Sequence, residues 1–152
     1  MKREDGDDAI YGNEGDDELY GGRGDDELDG DGGNDIINGQ HGDDELEGGK
    51  GDDKFSRERY DDLLMGDRGN DQLKGGKDND RVTGSERDDE INCGEGYDIL
   101  VGGTGRDTLI CDGLDQLIDF NIEEGDKIEG SCEMRNSLDS GVSNDSQITN
   151  IQ

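Results

Sequence analysis

The chain contains no proline and no tryptophan, and aromatic residues make up 4% of its 152 positions. Without proline, every backbone N–H is available, as a structure built on continuous hydrogen-bonded ladders requires. Hydrophobic residues are scarce as well, at 25%, too few for a conventional layered core. No stretch approaches the roughly 20 apolar residues of a membrane-spanning helix, and MKREDGDDAI has no apolar signal-like segment. Cys93, Cys111 and Cys132 are too few for a disulfide scaffold and lack the C-x-x-C spacing of zinc sites, so one bridge and one free thiol is the simplest arrangement. His41 is the only histidine, and H-E-x-x-H, G-x-S-x-G and the EF-hand loop are all missing. No catalytic residue and no organic-cofactor site is assigned, and the chain reads as a non-enzyme.

Basic residues are short too: 15 Lys and Arg stand against 44 Asp and Glu, a formal charge of −29. Such a surface repels nucleic acid and anionic membrane and attracts cations. High charge with low hydrophobicity is also the signature of disorder, and only a fixed register argues otherwise.

That register exists. Cut from Arg3 without insertion, the chain gives REDGDDAIY, GNEGDDELY, GGRGDDELD, GDGGNDIIN, GQHGDDELE, GGKGDDKFS, RERYDDLLM, GDRGNDQLK, GGKDNDRVT, GSERDDEIN, CGEGYDILV, GGTGRDTLI and CDGLDQLID, thirteen nine-residue units over residues 3–119. The eighth position is apolar in all thirteen: Ile10, Leu19, Leu28, Ile37, Leu46, Phe55, Leu64, Leu73, Val82, Ile91, Leu100, Leu109 and Ile118. The sixth is Asp in twelve and Gln116 in the last, and glycine fills the fourth in nine.

One apolar position in nine cannot make an amphipathic helix, which needs several at 3.6-residue spacing. It fits a short strand at positions seven to nine, with position eight inward, followed by a turn at positions one to six. Two units close one coil, and coils stack in parallel at about 4.8 Å. The fold class is therefore all-β, a right-handed parallel β-roll (β-solenoid) of two-unit coils. Sixth-position aspartates of units n and n+2 then stack on one edge, where they repel unless a cation lies between them.

The units match G-G-x-G-x-D-x-U-x, and the chain resembles the RTX (repeat-in-toxin) nonapeptide family, a calcium-binding parallel β-helix repeat. The resemblance implies Ca²⁺ between stacked turns, held by the side chains of Asp8, Asp17, Asp26, Asp35, Asp44, Asp53, Asp71, Asp80, Asp89, Asp98 and Asp107. The turn carbonyls of Gly15, Gly22, Gly24, Gly33, Gly42, Gly49, Gly51 and Gly69 complete the expected donor set. Hard oxygen donors in a flexible arrangement suit Ca²⁺, and roughly six to eight occupied sites are expected. Binding and folding are then one event. At RERYDD the pattern breaks: Arg57 and Arg59 stand where acceptors and glycine are expected, and a guanidinium is expected to replace a metal there.

Residues 114–132 leave the repeat and resemble the segment that closes many RTX blocks. The expected organisation is a roll over 1–119, a capping segment over 120–135, and a polar, flexible tail over 136–152. Outward-facing Ile99, Val101 and Leu117 are expected to form an apolar patch covered by Phe120, Ile122 and Ile128. Cys93 and Cys111 share position one on one edge and stack within bridging range; Cys132 could instead tie the cap to either.

These readings point to a non-enzymatic calcium-binding module of an exported, secreted or cell-surface protein, folding where calcium is abundant. The alternatives are an adhesion or surface-layer interaction module, or the C-terminal appendage of a larger secreted protease or lipase. Calcium is the expected partner; nucleic acid and membrane insertion are not, and no macromolecular partner is indicated. Arg23-Gly24-Asp25, an adhesion-type tripeptide, is simply part of a turn.

Overall fold

The nine-residue period folds into short strands stacked in two sheets. The structure, a computed structural model, describes residues 5–56 and 59–134. Its strands are β1 (Ala9–Tyr11), β2 (Glu18–Arg23), β3 (Glu27–Asp29), β4 (Ile36–His41), β5 (Glu45–Glu47), β6 (Lys54–Phe55), β7 (Leu63–Arg68), β8 (Gln72–Lys77), β9 (Arg81–Glu86), β10 (Glu90–Glu95), β11 (Ile99–Thr104), β12 (Thr108–Cys111), β13 (Gln116–Asp119), β14 (Lys127–Gly130) and β15 (Glu133–Met134). Odd-numbered strands form one sheet in the order β1-β3-β5-β7-β9-β11-β13-β15, and even-numbered strands form the other. All pairings are parallel, and through most of the stack partners lie eighteen residues apart, as in Leu28↔Leu46, Leu46↔Leu64 and Leu19↔Ile37. The result is a parallel β-solenoid of about seven turns, a β-roll. Among the described residues no helix is long and apolar enough to cross a membrane.

The core is the position-eight column. From Ile10 to Leu109 these side chains are buried and face one another between the two sheets. The strands often run further than the expected three residues. Seven of them span six residues, because the inter-coil ladder continues around the corner, as in Gly22↔Gln40 and Arg23↔His41. Strand alternation then turns position one inward as well, and the narrow interior leaves room there for glycine.

The C-terminal end corrects three expectations. Ile118 does not occupy the inward column: Leu117 pairs with Leu100 and is buried, while Ile118 is exposed. The last unit is one residue short in its turn, which shifts the register by one and exchanges the two faces of the strand. Leu117 therefore cannot belong to an outward patch, although Ile99 and Val101 do face outward, half-buried. The segment after 119 does not fold over that face either. It prolongs the roll, with Ile128 opposite Leu109 and Met134 opposite Leu117. Phe120 and Ile128 pack against the core, whereas Ile122 is exposed.

Cys111 and Cys132 are bridged, with a Cα–Cα distance of 5.6 Å, and Cys93 is a buried free thiol. Of the arrangements open to the sequence, the structure thus takes the one that ties the segment after the repeats back to position one of the thirteenth unit.

Candidate metal sites

Each turn begins at position one and ends in an aspartate at position six, buried from Asp26 onward, and these aspartates form two continuous ladders. The backbone N–H of one sixth-position Asp donates to Oδ1 of its counterpart in the next coil. On one edge the donations run Asp8 to Asp26 (2.8 Å), Asp26 to Asp44 (2.6 Å), Asp44 to Asp62 (2.9 Å), Asp62 to Asp80 (3.0 Å), Asp80 to Asp98 (2.8 Å) and Asp98 to Asp115 (3.3 Å). On the other they run Asp17 to Asp35 (2.7 Å), Asp35 to Asp53 (2.7 Å), Asp53 to Asp71 (2.8 Å), Asp71 to Asp89 (2.9 Å), Asp89 to Asp107 (2.9 Å) and Asp107 to Asp126 (3.0 Å). All eleven aspartates expected from the sequence stand on these ladders.

Three further aspartates stand there too. Asp62 was set aside because of its RERYDD context, yet it is buried and bonded on both sides like its neighbours. Arg59 is exposed, and Arg57 lies outside the described residues. We expect Asp62→Ala, which orphans the Asp44 N–H, to lower stability by about 1–3 kcal/mol, as Asp53→Ala should; a chemical denaturation series on both variants checks this. Asp115 and Asp126 complete the ladders. A one-residue gap in CDGLDQLID places Asp115 at position six, and the spacing of Asp126 and Ile128 matches positions six and eight.

The second carboxylate oxygen distinguishes the ladder's body from its end. Oδ2 of Asp35, Asp53, Asp71, Asp89, Asp98 and Asp107 is buried without a hydrogen-bond partner. At Asp115 and Asp126 it is satisfied locally, by the N–H of Asp112 (2.7 Å) and of Asn121 (2.7 Å). Desolvation, and then the stacked like charges, pushes Asp53 up to about 6, Asp71 to about 7, Asp89 to about 8 and Asp98 to about 6. Asp35 and Asp107 are raised for the same leading reason. A row of buried carboxylates with orphaned oxygens calls for positive charge.

Carbonyl oxygens converge on the same places. A Cβ added to Gly48 would lie 2.5 Å from Asp53 Oδ2 and 2.9 Å from the Gly66 carbonyl oxygen. One added to Gly66 would meet Asp71 Oδ2 at 2.5 Å and the Gly84 carbonyl at 2.9 Å. Gly12, Gly21, Gly30, Gly48, Gly66, Gly75 and Gly84 thus each leave a cradle bounded by one carboxylate and one carbonyl. The eight expected carbonyl donors, Gly15, Gly22, Gly24, Gly33, Gly42, Gly49, Gly51 and Gly69, all have positive φ, so the turns follow one backbone path. Position one of two units holds cysteine instead of glycine. Burial, followed by the charges of Asp98, Asp115 and Asp80, pushes the Cys93 thiol far up and makes it a poor nucleophile.

Position five forms another ladder, which the sequence reading passed over. Its Asp or Asn Oδ1 accepts from the position-five N–H of the following coil, as in Asp7 from Asp25 (3.0 Å), Asp16 from Asn34 (2.8 Å) and Asp52 from Asn70 (2.9 Å). Units one to ten all carry Asp or Asn there, from Asp7 to Asp88, before Tyr97 and Arg106 end the column. No position-five oxygen among the described residues is buried without a partner, which leaves position six to face a cation.

No group of three His, Cys, Asp or Glu side chains with metal-ligand spacing occurs among the described residues. The donors are one carboxylate per unit plus main-chain carbonyls, an all-oxygen set that fits a hard, flexibly coordinated ion such as Ca²⁺ and disfavours zinc. A parallel solenoid with this repeated turn is a calcium-binding repeat module. The RTX calcium-binding nonapeptide repeat matches the chain in four copies, over residues 4–37, 20–55, 58–91 and 83–110, and the chain belongs to that family. The matches stop just before Cys111, where the shortened unit begins. No curated protein and no solved structure matches the chain.

Proposed function

We propose that this chain is a non-enzymatic, calcium-folded module of a secreted or cell-surface protein, with roughly six to eight ions held between stacked turns. The observation that carries this reading is the row of buried sixth-position Oδ2 atoms without a hydrogen-bond partner. Asp35, Asp53, Asp71, Asp89, Asp98 and Asp107 would hold the ions together with turn carbonyls. When bound, calcium neutralises charge that the narrow core cannot bury. Extracellular placement is supported by the occurrence of such repeats in secreted bacterial proteins and by the millimolar calcium such a chain meets outside a cell.

A calcium titration of chelator-treated protein, followed by far-UV circular dichroism, tests the reading. Coil-like spectra should give way cooperatively to β-structure at about 10⁻⁴ to 10⁻³ M Ca²⁺, the range of extracellular modules. A protein that is fully β-structured when chelated at pH 8.5, or one unmoved by calcium there, would overturn it.

A further inference from the structure

The two outer faces of the roll differ. Positions seven and nine point outward, and on the odd-numbered sheet Leu63 pairs with Arg81 and Arg81 with Ile99, while Met65 pairs with Thr83 and Thr83 with Val101. Leu63, Met65, Ile99 and Val101 are all half-buried, two on each side of β9. Toward the N-terminus the same two rows turn acidic: Glu45 stands beside Leu63 and Glu47 beside Met65, with Glu27 and Asp29 next. Partial burial, and then the charges of Asp67, Asp29 and Glu45, holds the Glu47 carboxyl above its usual range. Among the described residues Arg81 is the only base at these outward positions, and it is exposed. The even-numbered face has another pattern. Lys54, Lys74 and Lys127 are spread along it, and its outward aliphatics Ile36 and Ile110 are separated by β6, β8 and β10. The divided face is thus a property of particular units and not of the repeat.

We propose that the odd-numbered face is a docking surface for an amphipathic helix of a partner protein, basic toward one end and apolar toward the other, laid along the roll axis. Its basic end lies over Glu27, Asp29, Glu45 and Glu47, and its apolar end over Leu63, Met65, Ile99 and Val101. From β3 to β11 the face extends about 19 Å at the usual strand spacing, the length of a helix of about 13 residues. Apolar burial supplies affinity, while the carboxylates orient the helix and speed its approach. A second copy of this face brings no complement, because its outward positions set one base, Arg81, against the same acids. None of these side chains is a sixth-position aspartate, so docking is separate from metal binding.

Fluorescence anisotropy of the full chain in saturating calcium tests this. The probe is a dye-labelled helical peptide of about 13 residues, with lysines toward one end and leucines on one side toward the other. The parent should bind it about tenfold or more tighter than a peptide of the same composition in scrambled order. Met65→Lys with Val101→Lys should weaken binding about tenfold or more, through lost apolar burial. Glu45→Gln with Glu47→Gln should weaken it about threefold or more and flatten its salt dependence. Ile36→Lys with Ile110→Lys, on the even-numbered face, should leave it unchanged. All these side chains point outward, so the variants should keep the parent's circular dichroism. No binding by the parent, equal binding of the scrambled peptide, or an equal loss in the even-face variant overturns the proposal. A parent that dimerises in analytical ultracentrifugation, and no longer does so as the Met65→Lys, Val101→Lys variant, also overturns it and makes a second copy the occupant.

Discussion

Stripped of calcium, the protein should regain β-structure on acidification alone. Folding raises the pKa values of Asp53, Asp71, Asp89 and Asp98 from an ordinary 3.8 to about 6, 7, 8 and 6, so the metal-free roll holds protons more tightly than the unfolded chain does. Their contribution is fully present below the unfolded value, near 3.8, and is lost as pH rises through 6 to 8. A proton on the carboxylate does part of what a cation does: it removes the buried charge. In dilute, chelated protein, far-UV circular dichroism at pH 5 should therefore show β-structure that disappears by pH 8.5. With calcium the order reverses, because the ion requires ionised ligands, and the midpoint concentration should rise as pH falls. Identical coil spectra at both pH values would mean that burial of these carboxylates is not what holds the metal-free chain open.

Gly51→Ala should be among the most damaging single changes. At position four the carbonyl of the preceding coil faces the α-carbon, and a methyl on Gly51 would collide with the Gly33 carbonyl oxygen. The obstacle is backbone, locked into the stack, and the φ of 134° is one that side chains rarely adopt. Strain and overpacking together should cost about 3 kcal/mol or more. Gly15 occupies the same motif position with φ 115°, but among the described residues nothing lies within 4 Å of its added methyl. Gly15→Ala should then cost only the backbone term, about 1 kcal/mol. Thermal unfolding of both variants in saturating calcium measures the difference. Equal losses would show that the inter-coil contact does not constrain position four.

The roll was legible in the sequence because its core is a single column. Leu28, Leu46 and Leu64 recur at one position in the unit, and a period of two strands per coil follows from geometry alone. The position-six ladder was legible for the same reason, Asp62 excepted. There the local context of Arg57, Arg59 and Tyr60 outweighed the column, whereas the buried rung is set by the coils above and below. The C-terminal end was harder to read. A deletion of one residue in CDGLDQLID leaves a plausible apolar residue, Ile118, in the counted position, and only strand pairing with Leu100 reveals that Leu117 is the one inside. The Cys111–Cys132 bridge depends on that shifted register too, so spacing alone could not select it.

The bridge also determines how the molecule responds to tension. Bonds between coils run along the roll's axis, so pulling on the chain peels it one coil at a time, each releasing about 60 Å of extended backbone. Cys111 and Cys132 are 21 residues apart, little more than one coil. The staple therefore fastens the final turn to the one beneath it and removes that end as a starting point for peeling. Under load, peeling that reaches the oxidised staple stops there until a reductant opens it.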